Sequence, residues 1–327
     1  MAARTNPFRL FLAVLILVIA ACAAPGASGV PTIGPDATSF VPSDAPPTLA
    51  PTFPITLTDD EGTAVTIPAE PHKIVSLTPA TTETLFAIGA GSRVVGKVED
   101  PANFPPEASA VPIVATFAGV DVEKIVASGA DLVVSGGTEL TQGAAVEKLR
   151  NAGIPVLVSY PTSVDEALAG IRLIGTAVGL ADAAATLADK ISGQIDDLSS
   201  IAGTVEELPR VFYEIDVTGG IFTPPADSIY AEMFELAGAQ LIPGAANYTI
   251  SLEKLVDADP QVILLGDAAY GVTKEAVVAR PGWGGMTAVK DGAIFAVDDI
   301  VITRPGPRIA EGLKVLIQAI HPELALT

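Results

Sequence analysis

The sequence predicts an α/β protein with two parallel-sheet lobes joined by a single long helix, and three observations support this. Short apolar strands alternate with helices from Ile55 to the end of the chain, as is typical of parallel sheets. One helix–strand unit, at residues 121–134, returns at residues 251–265, which indicates two similar lobes. Between the two units, residues 181–201 have the alanine-rich amphipathic pattern of one extended helix.

The repeated unit has the same local signals in both copies. Asp121 and Ser251 are residue types that cap helix starts, and a Glu-Lys pair follows two positions later in each copy. Glu123 and Glu253 therefore fall in a first helical turn, where a carboxylate favours the helix dipole. Any α/β protein contains several helix–strand units, so chance similarity stays an alternative. The shared Glu-Lys step favours two related lobes.

The chain begins with an export signal, which we assign to residues 1–21. Two arginines precede an apolar run of about a dozen residues, too short for a permanent membrane span. The run ends Val18-Ile19-Ala20-Ala21-Cys22, which resembles the bacterial lipobox, where the cysteine becomes lipid-modified. Cys22 is the only cysteine, so an intrachain disulfide is excluded and a lipid anchor is expected. An ordinary secretory signal with an incidental cysteine is the alternative.

A tether is predicted at residues 22–54, because this segment is rich in Pro, Ala, Thr, Ser and Gly and lacks periodicity. The tether would let a folded domain stand off the membrane surface. The whole chain has a net charge of −20, which argues against nucleic acid as a partner and allows a basic protein partner.

The first lobe is assigned to residues 55–180. It opens with a hairpin signal, two alternating runs around Asp59-Asp60-Glu61-Gly62. Residues 99–119 contain four prolines and are predicted to be a long loop. The other elements expected in order are a strand at 73–77, a helix at 78–89, a strand at 94–96, the repeated unit, a helix at 140–151, a strand at 155–159 and a helix at 164–178.

An interlobe helix at 181–203 and a second lobe at 204–327 complete the chain. The second lobe is expected to contain a strand at 211–216, a helix at 229–237, the second repeated unit, a helix at 272–279, a strand at 293–297 and a last helix that opens at 304–309.

Ligands of parallel sheets gather beyond the carboxyl ends of the strands. This rule places Thr78, Pro79 and Tyr160 at one rim of the first lobe. The helix start after Thr78 offers amides and hydroxyls to a polar ligand group. Simple helix capping is the alternative for these threonines.

Five segments together resemble the substrate-binding lipoproteins of ABC importers for vitamin B12 and ferric siderophores: residues 71–83, 119–134, 251–265, 279–283 and 304–309. Each segment is a weak match alone, but their order and spacing make a strong one, and the likeness extends from Ile55 to the end. The resemblance implies two three-layer lobes joined by one long helix, with the ligand in the cleft between them. It also implies extracytoplasmic capture of a corrinoid or a ferric siderophore and delivery to an ABC permease dimer with its ATPase.

The family places one glutamate on each lobe to dock on arginines of the permease, and Glu123 and Glu253 match those positions. A first-turn glutamate that only complements the helix dipole is the alternative.

For the ligand, the resemblance matches Phe117 and Tyr248 to aromatic residues of the B12 binders, where they would clamp a flat ligand from two sides. Siderophore binders use arginine and tyrosine, and Arg304 and Tyr270 would serve there. Core packing is the alternative for each aromatic residue. The choice between corrinoid and siderophore therefore stays open, with corrinoid slightly ahead.

Other functions find less support in the sequence. The two histidines, His72 and His321, lack a partner pattern for acid–base catalysis, and no phosphate-loop or dinucleotide glycine pattern occurs, so no enzyme and no cofactor is expected. Two distant histidines also argue against a metal-ion site. A haem-binding importer component and a surface-anchored module without a transport role stay as alternatives.

Overall fold

A computed structural model describes residues 52–116, 118–136 and 142–326. The predictions about the signal peptide, the lipid anchor at Cys22, nearly all of the tether and the aromatic ring of Phe117 therefore lie outside the described residues. Below, the parts of the chain built on the two sheets are called the first lobe and the second lobe.

The first lobe contains a six-stranded sheet with the strand order β6-β5-β4-β3-β7-β8. All neighbours are parallel except β6, which runs antiparallel to β5 at the edge. A separate antiparallel hairpin, β1 with β2, precedes this sheet, as predicted. The strands are β1 (Ile55–Thr58), β2 (Ala64–Ile67), β3 (Ile74–Ser76), β4 (Val94–Val98), β5 (Ile113–Thr116), β6 (Gly119–Val120), β7 (Leu132–Ser135) and β8 (Val156–Val158).

Four helices cover the two faces of this sheet. Successive residues of a strand point to opposite faces, so neighbouring residues pack against different helices. Ile74 belongs to the hydrophobic cluster under α1 and α4, whereas Val75 belongs to the cluster that contains Ile125 of α2 and Leu149 of α3. The lobe therefore has three layers. The helices are α1 (Pro79–Ala87), α2 (Val122–Ser128), α3 (Gly143–Asn151) and α4 (Val164–Ala177).

A single helix of 22 residues, α5 (Ala181–Ala202), leads from the first sheet to the second. It packs against α4 of the first lobe and against α6 (Ile229–Leu236) and α11 (Ile309–Ile320) of the second lobe. Its buried residues, among them Ala188, Ile191 and Ile195, form the apolar face that the sequence predicts. The predicted long connecting helix is confirmed.

The second lobe contains a four-stranded parallel sheet with the order β11-β9-β13-β14 and a small antiparallel pair, β10 with β12. The strands are β9 (Arg210–Glu214), β10 (Ile221–Phe222), β11 (Gln240–Leu241), β12 (Thr249–Ile250), β13 (Val262–Leu265) and β14 (Ile294–Ala296). The remaining helices are α7 (Leu252–Ala258), α8 (Lys274–Val278), α9 (Thr287–Asp291) and α10 (Asp299–Ile302).

The two copies of the repeated unit fold alike. The side chains of Asp121 and Ser251 each accept a hydrogen bond from the amide three residues later, at 2.9 and 3.2 Å. Each helix ends at a residue with a left-handed backbone, Gly129 with φ 69° and Asp259 with φ 46°. The strands that follow, β7 and β13, each pair with the first strand of their sheet, β3 and β9.

The prediction of a loop at 99–119 was partly wrong, because the segment contains a short helical turn at Pro106–Ala110, strand β5 and the first residue of β6. Prolines at 105, 106 and 112 indicate a loop, yet Ile113–Thr116 pairs with β4, which lies outside this segment. Four residues carry little local signal, so the pairing partner decides their structure. The helix expected at 272–279 is shorter than predicted and spans Lys274–Val278.

The two lobes share one hydrophobic core behind the sheets. The cluster that contains Ile74 and Leu132 of the first sheet also contains Val211 of β9, Phe234 of α6 and Leu313 of α11. All described residues belong to one compact unit, Thr48–Thr327, so the lobe boundaries at 180 and 203 stay a prediction. Within the described part of the chain, no helix has the length and apolar character needed to span a membrane.

Candidate functional site

The carboxyl ends of strands from both sheets lie at the junction of the lobes. Tyr160 follows β8, Asp100 follows β4, and Arg304 follows β14 and α10. The two lobes approach closely at this junction, since a Cβ added at Gly306 of the second lobe would lie 3.2 Å from the Cβ of Ala80 in the first lobe. Ligands of parallel sheets bind beyond this edge, so the junction is the candidate binding site.

Four charged side chains form an ion cluster across the junction: Glu83 and Asp100 from the first lobe, and Arg304 and Arg308 from the second. Arg304 donates to Glu83 at 2.8 Å and to both carboxylate oxygens of Asp100. Arg308 donates through Nε and Nη2 to Glu83, both at 2.9 Å. The side chains are 1% exposed for Glu83, 4% for Asp100, 11% for Arg304 and 17% for Arg308. We call these four residues the junction cluster.

Proton equilibria in the junction cluster follow from this pairing. Burial alone would raise the pKa of the Asp100 carboxyl, but the hydrogen bonds and charge of Arg304, with the amides of Ala102 and Phe104, bring this pKa below its ordinary value. The hydrogen bond to Glu83 raises the pKa of Arg308. The Arg308 guanidinium also lies 4.0 Å from the ring centroid of Phe104, a cation–π contact. Asp100 and Arg308 are therefore both charged at neutral pH.

The predicted ligand residue Arg304 thus has carboxylate partners within the protein. Sequence reasoning missed the roles of Glu83, Asp100 and Arg308, although Glu83 and Arg308 lie in the segments that carry the family resemblance. The one available signal was a glutamate inside a helix that is otherwise apolar or hydroxylated, Pro79–Ala87.

Thr78 and Pro79 lie at the start of α1, where the structure shows capping. Thr78 accepts from the amide of Thr81 at 3.1 Å, and Pro79 occupies the first helical turn. The hydroxyls of Thr81 and Thr82 lie 2.7 and 2.8 Å from the Ser76 hydroxyl, so they form a buried network. A role for Thr78 and Pro79 in ligand binding stays a prediction, and the part-exposed edge of this turn borders the junction.

Three tyrosines from the two lobes lie near one another. Tyr160 of the first lobe is 46% exposed, whereas Tyr248 and Tyr230 of the second lobe are partly buried. Burial raises the pKa of the Tyr248 hydroxyl, and nearby Tyr160 and Asp227 raise it further. Burial, Tyr248 and Tyr160 also raise the pKa of Tyr230. The structure therefore brings two of the predicted ligand residues, Tyr160 and Tyr248, together and adds Tyr230, which the sequence did not single out.

The backbone of Tyr248 is in the left-handed region, with φ 66°, which is uncommon for a residue other than glycine, asparagine or aspartate. Such strain is concentrated at functional sites. Gly244 is held beneath this turn, since a Cβ there would lie 2.9 Å from the carbonyl oxygen of Tyr248. The close approach of Gly244 thus holds the backbone of Tyr248 in place.

Tyr270 is 83% exposed on the short helical turn that follows β13. No described contact brings it to Tyr160, Tyr230 and Tyr248, which we call the tyrosine cluster. Phe117 is outside the described residues. Both stay predictions as ligand residues.

A buried carboxyl lies in the turn that carries Tyr270. Asp267 is 4% exposed, and its ionised carboxylate has no hydrogen-bond donor beside it; a protonated Asp267 can donate to Glu214. Burial and the charge of Glu214 raise its pKa to about 7, although Arg280, which pairs with Glu214, opposes this shift. Asp267 therefore carries a proton part of the time at neutral pH.

The predicted docking residues lie away from the junction, on exposed helix starts. Glu123 and Glu253 are exposed in the first turns of α2 and α7. Those helices bury Ile125 and Leu255 in the outer clusters of their lobes, not in the shared core. Both carboxylates are therefore free to meet a partner, and their docking role stays a prediction.

Among the described residues, no group of three or more His, Cys, Asp or Glu side chains is placed to hold a metal ion. A cavity of about 460 Å³ lies between the ends of α5 and α6, lined by Ser199, Leu208, Glu232, Leu236 and their neighbours. None of the predicted ligand residues lines it.

Residues 74–301 match the sequence profile of a protein family, the periplasmic binding proteins. An ABC transporter substrate-binding lipoprotein of Bacillus subtilis is 34% identical over 279 residues, which cover 83% of this chain and 87% of the relative. A cobalamin-binding protein of Halobacterium salinarum is 31% identical over 82% of this chain and 74% of its own. Among solved structures, a periplasmic haem-binding protein from Roseiflexus has a TM-score of 0.67 at 25% identity, covering 77% of this chain and 98% of its own.

Proposed function

Because the chain belongs to the periplasmic binding protein family, we propose that it is the substrate-binding component of an ABC importer and that its ligand is a corrinoid. The single observation that carries the choice of ligand is the proximity of Tyr160 and Tyr248, one from each lobe, through which Tyr160 helps to raise the pKa of Tyr248. Aromatic rings on two sides suit a large, flat ligand. The Halobacterium relative, named for cobalamin, supports the same choice.

A ferric siderophore is the second candidate. Haem is the third, and the likeness to the Roseiflexus protein and tyrosines that can ligate haem iron support it. The proposed site consists of Thr78, Pro79, Phe117, Tyr160, Tyr248, Tyr270 and Arg304. The proposed role is capture and delivery without chemistry, so the purified protein should leave its ligand unchanged.

The test is a ligand screen with the full-length protein purified in detergent. Cyanocobalamin, cobinamide, hemin and a ferric tricatecholate are compared by absorption and by the shift in melting temperature. A ligand that binds only the folded state stabilises it by mass action. Stabilisation by hemin or the tricatecholate without stabilisation by either corrinoid would reject the corrinoid proposal.

Tyr248→Ala is expected to weaken cyanocobalamin binding by about fivefold or more, because truncating a buried aromatic contact in a binding site commonly costs 1 kcal/mol or more. Titration calorimetry on both proteins measures the effect. Tyr248→Phe is the matched control, since it keeps the ring and should keep the affinity within about twofold. Equal affinity of Tyr248→Ala and the parent protein would remove Tyr248 from the site.

We further propose that Cys22 is lipid-modified and holds the protein on the outer side of the cell membrane. The lipobox-like sequence before Cys22 and the name of the Bacillus relative, a lipoprotein, support this. Residues 22–54 would then be the tether, and two or three acyl chains would give stable anchoring.

Mass spectrometry of the mature protein is expected to show an acylated cysteine at its N-terminus. Cys22→Ser should move the protein from the membrane fraction to the soluble fraction. A Cys22→Ser protein that stays in the membrane fraction would contradict the anchor.

A further inference from the structure

Every arginine in the described part of the chain is paired with a carboxylate of the protein itself. Each described arginine has a carboxylate oxygen within 4.0 Å. These residues are Arg93, Arg150, Arg172, Arg210, Arg280, Arg304 and Arg308. An anionic ligand that reaches one of these arginines must compete with the carboxylate already paired with it.

The junction cluster shows this matching where the ligand is proposed to bind. Arg304 directs Nη1 to Glu83 and Asp100, at 2.8 and 3.1 Å, and Nη2 to Asp100 at 2.5 Å. Two cations face two carboxylates, so the cluster is electroneutral. An anionic ligand that reached Arg304 would have to displace Asp100, leaving a buried carboxylate without its partner.

Carboxylates continue along the second-lobe side of the junction. Asp299 accepts a hydrogen bond from the Tyr213 hydroxyl, and Tyr230 lies beside it, with its hydroxyl 3.4 Å from the carbonyl oxygen of Thr303. The surroundings of the tyrosine cluster are thus acidic or neutral. On the first-lobe sheet, the buried cation is Lys97, whose ammonium donates to the carbonyl oxygen of Val98 at 3.5 Å.

We propose that Asp100 and Glu83 determine ligand specificity by neutralising Arg304 and Arg308, so that the cleft accepts a ligand without net negative charge and rejects anionic ligands. Electroneutral cyanocobalamin is accepted, whereas haem, with its propionates, and ferric tricatecholates are rejected. This inference rests on the proposed function, which it narrows to one class of ligand. Burying an unpaired charge costs far more than burying a neutral group of similar size.

Asp100→Asn is the decisive variant. The amide oxygen of asparagine can still accept from the amide of Ala102, which donates to Asp100 at 2.9 Å, while the charge and the longer bond from the amide of Phe104, at 3.3 Å, are removed. Arg304 then has one carboxylate partner in place of two. Asp100→Ser serves the same test if the asparagine variant does not fold.

Asp189→Asn is the matched control. Asp189 pairs with Arg172 at 2.8 Å and its side chain is 75% exposed on α5. The change in net charge is the same and an arginine again loses a carboxylate partner, but away from the junction.

Dissociation constants of cyanocobalamin, hemin and a ferric tricatecholate are measured for the full-length parent, Asp100→Asn, Asp189→Asn and Asp100→Asn/Arg304→Met. Asp100→Asn should bind hemin or the tricatecholate at least about tenfold more tightly than the parent, since hydrogen bonds to charged groups are the stronger kind. The double variant should lose this gain. Asp189→Asn should match the parent for all three ligands.

The outcomes separate the inference from the proposed function. If the parent binds cyanocobalamin and Asp100→Asn gains no affinity for either anion, the inference fails and the function stands. A parent protein that binds hemin as tightly as Asp100→Asn does, for example through Lys97, also overturns the inference. If the parent does not bind cyanocobalamin while Asp100→Asn gains affinity for an anionic ligand, the specificity role stands and the corrinoid proposal fails.

Discussion

Glu83→Gln is expected to lower the free energy of unfolding by about 3–5 kcal/mol, the usual cost of removing one partner of a buried ion pair. Glu83 is 1% exposed and accepts from both Arg304 and Arg308. Without its charge, Arg308 keeps only Glu311, at 3.8 Å and 56% exposed. The loss should be large because the pair links α1 of the first lobe to the loop before α11 of the second.

Chemical denaturation measures this effect, and thermal unfolding should show a melting temperature lower by on the order of 10 °C. Asp189→Asn is the surface control, and its exposed pair should contribute less than about 1 kcal/mol. A Glu83→Gln protein within 1 kcal/mol of the parent would show that the junction cluster does not stabilise the fold.

Asp267→Asn is a control at a second buried carboxylate, where loss of the charge is expected to keep or raise the stability. The folded-state pKa of Asp267 is about 7, above the ordinary value near 3.9, so the folded protein holds this proton more tightly than the unfolded chain. Its effect on stability is therefore favourable at low pH and is lost as the pH rises through 7. Asp267→Asn should equal or exceed the parent in stability at pH 8. A loss of stability in Glu83→Gln alone would then be due to its lost ion pairs and not to the removal of a buried carboxylate as such.

Local signals explain what the sequence could predict. Asp121 and Ser251 predict helix starts because capping depends on residues within three positions. Gly129 predicts a helix end for the same reason. The apolar runs of β7 and β13 follow at once, so both repeated units were confirmed as predicted. The length and amphipathic pattern of α5 are also local.

Pairings between distant residues explain what the sequence could not predict. Arg304 and Glu83 are 221 residues apart, and no local pattern tells that one neutralises the other. Strand β5 was missed because its partner β4 lies outside the proline-rich segment. Tyr230 joins Tyr160 and Tyr248 only after the second lobe folds against the first.

The geometry of the repeated units bears on docking to a permease. Glu123 and Glu253 each lie two residues after the capping residue of a seven-residue helix, and both are exposed. Helices α2 and α7 precede strands that hold the same place in their sheets, next to the first strand. If the lobes are related by an approximate twofold axis, the two carboxylates point to one face, where a dimeric permease with two basic sites can bind both.

Replacing Glu123 or Glu253 by Ala is therefore expected to weaken permease binding by about fivefold each, and replacing both by about twenty-five-fold. Losses at separate sites add in free energy, and each contact raises the effective concentration of the other. Uptake and binding to the permease in membranes measure the effect, while cyanocobalamin affinity of the isolated protein should stay unchanged. Asp257→Ala is the matched control, because it removes an exposed carboxylate one turn further along α7. Parental uptake in the double variant would mean that these glutamates only complement the dipoles of their helices.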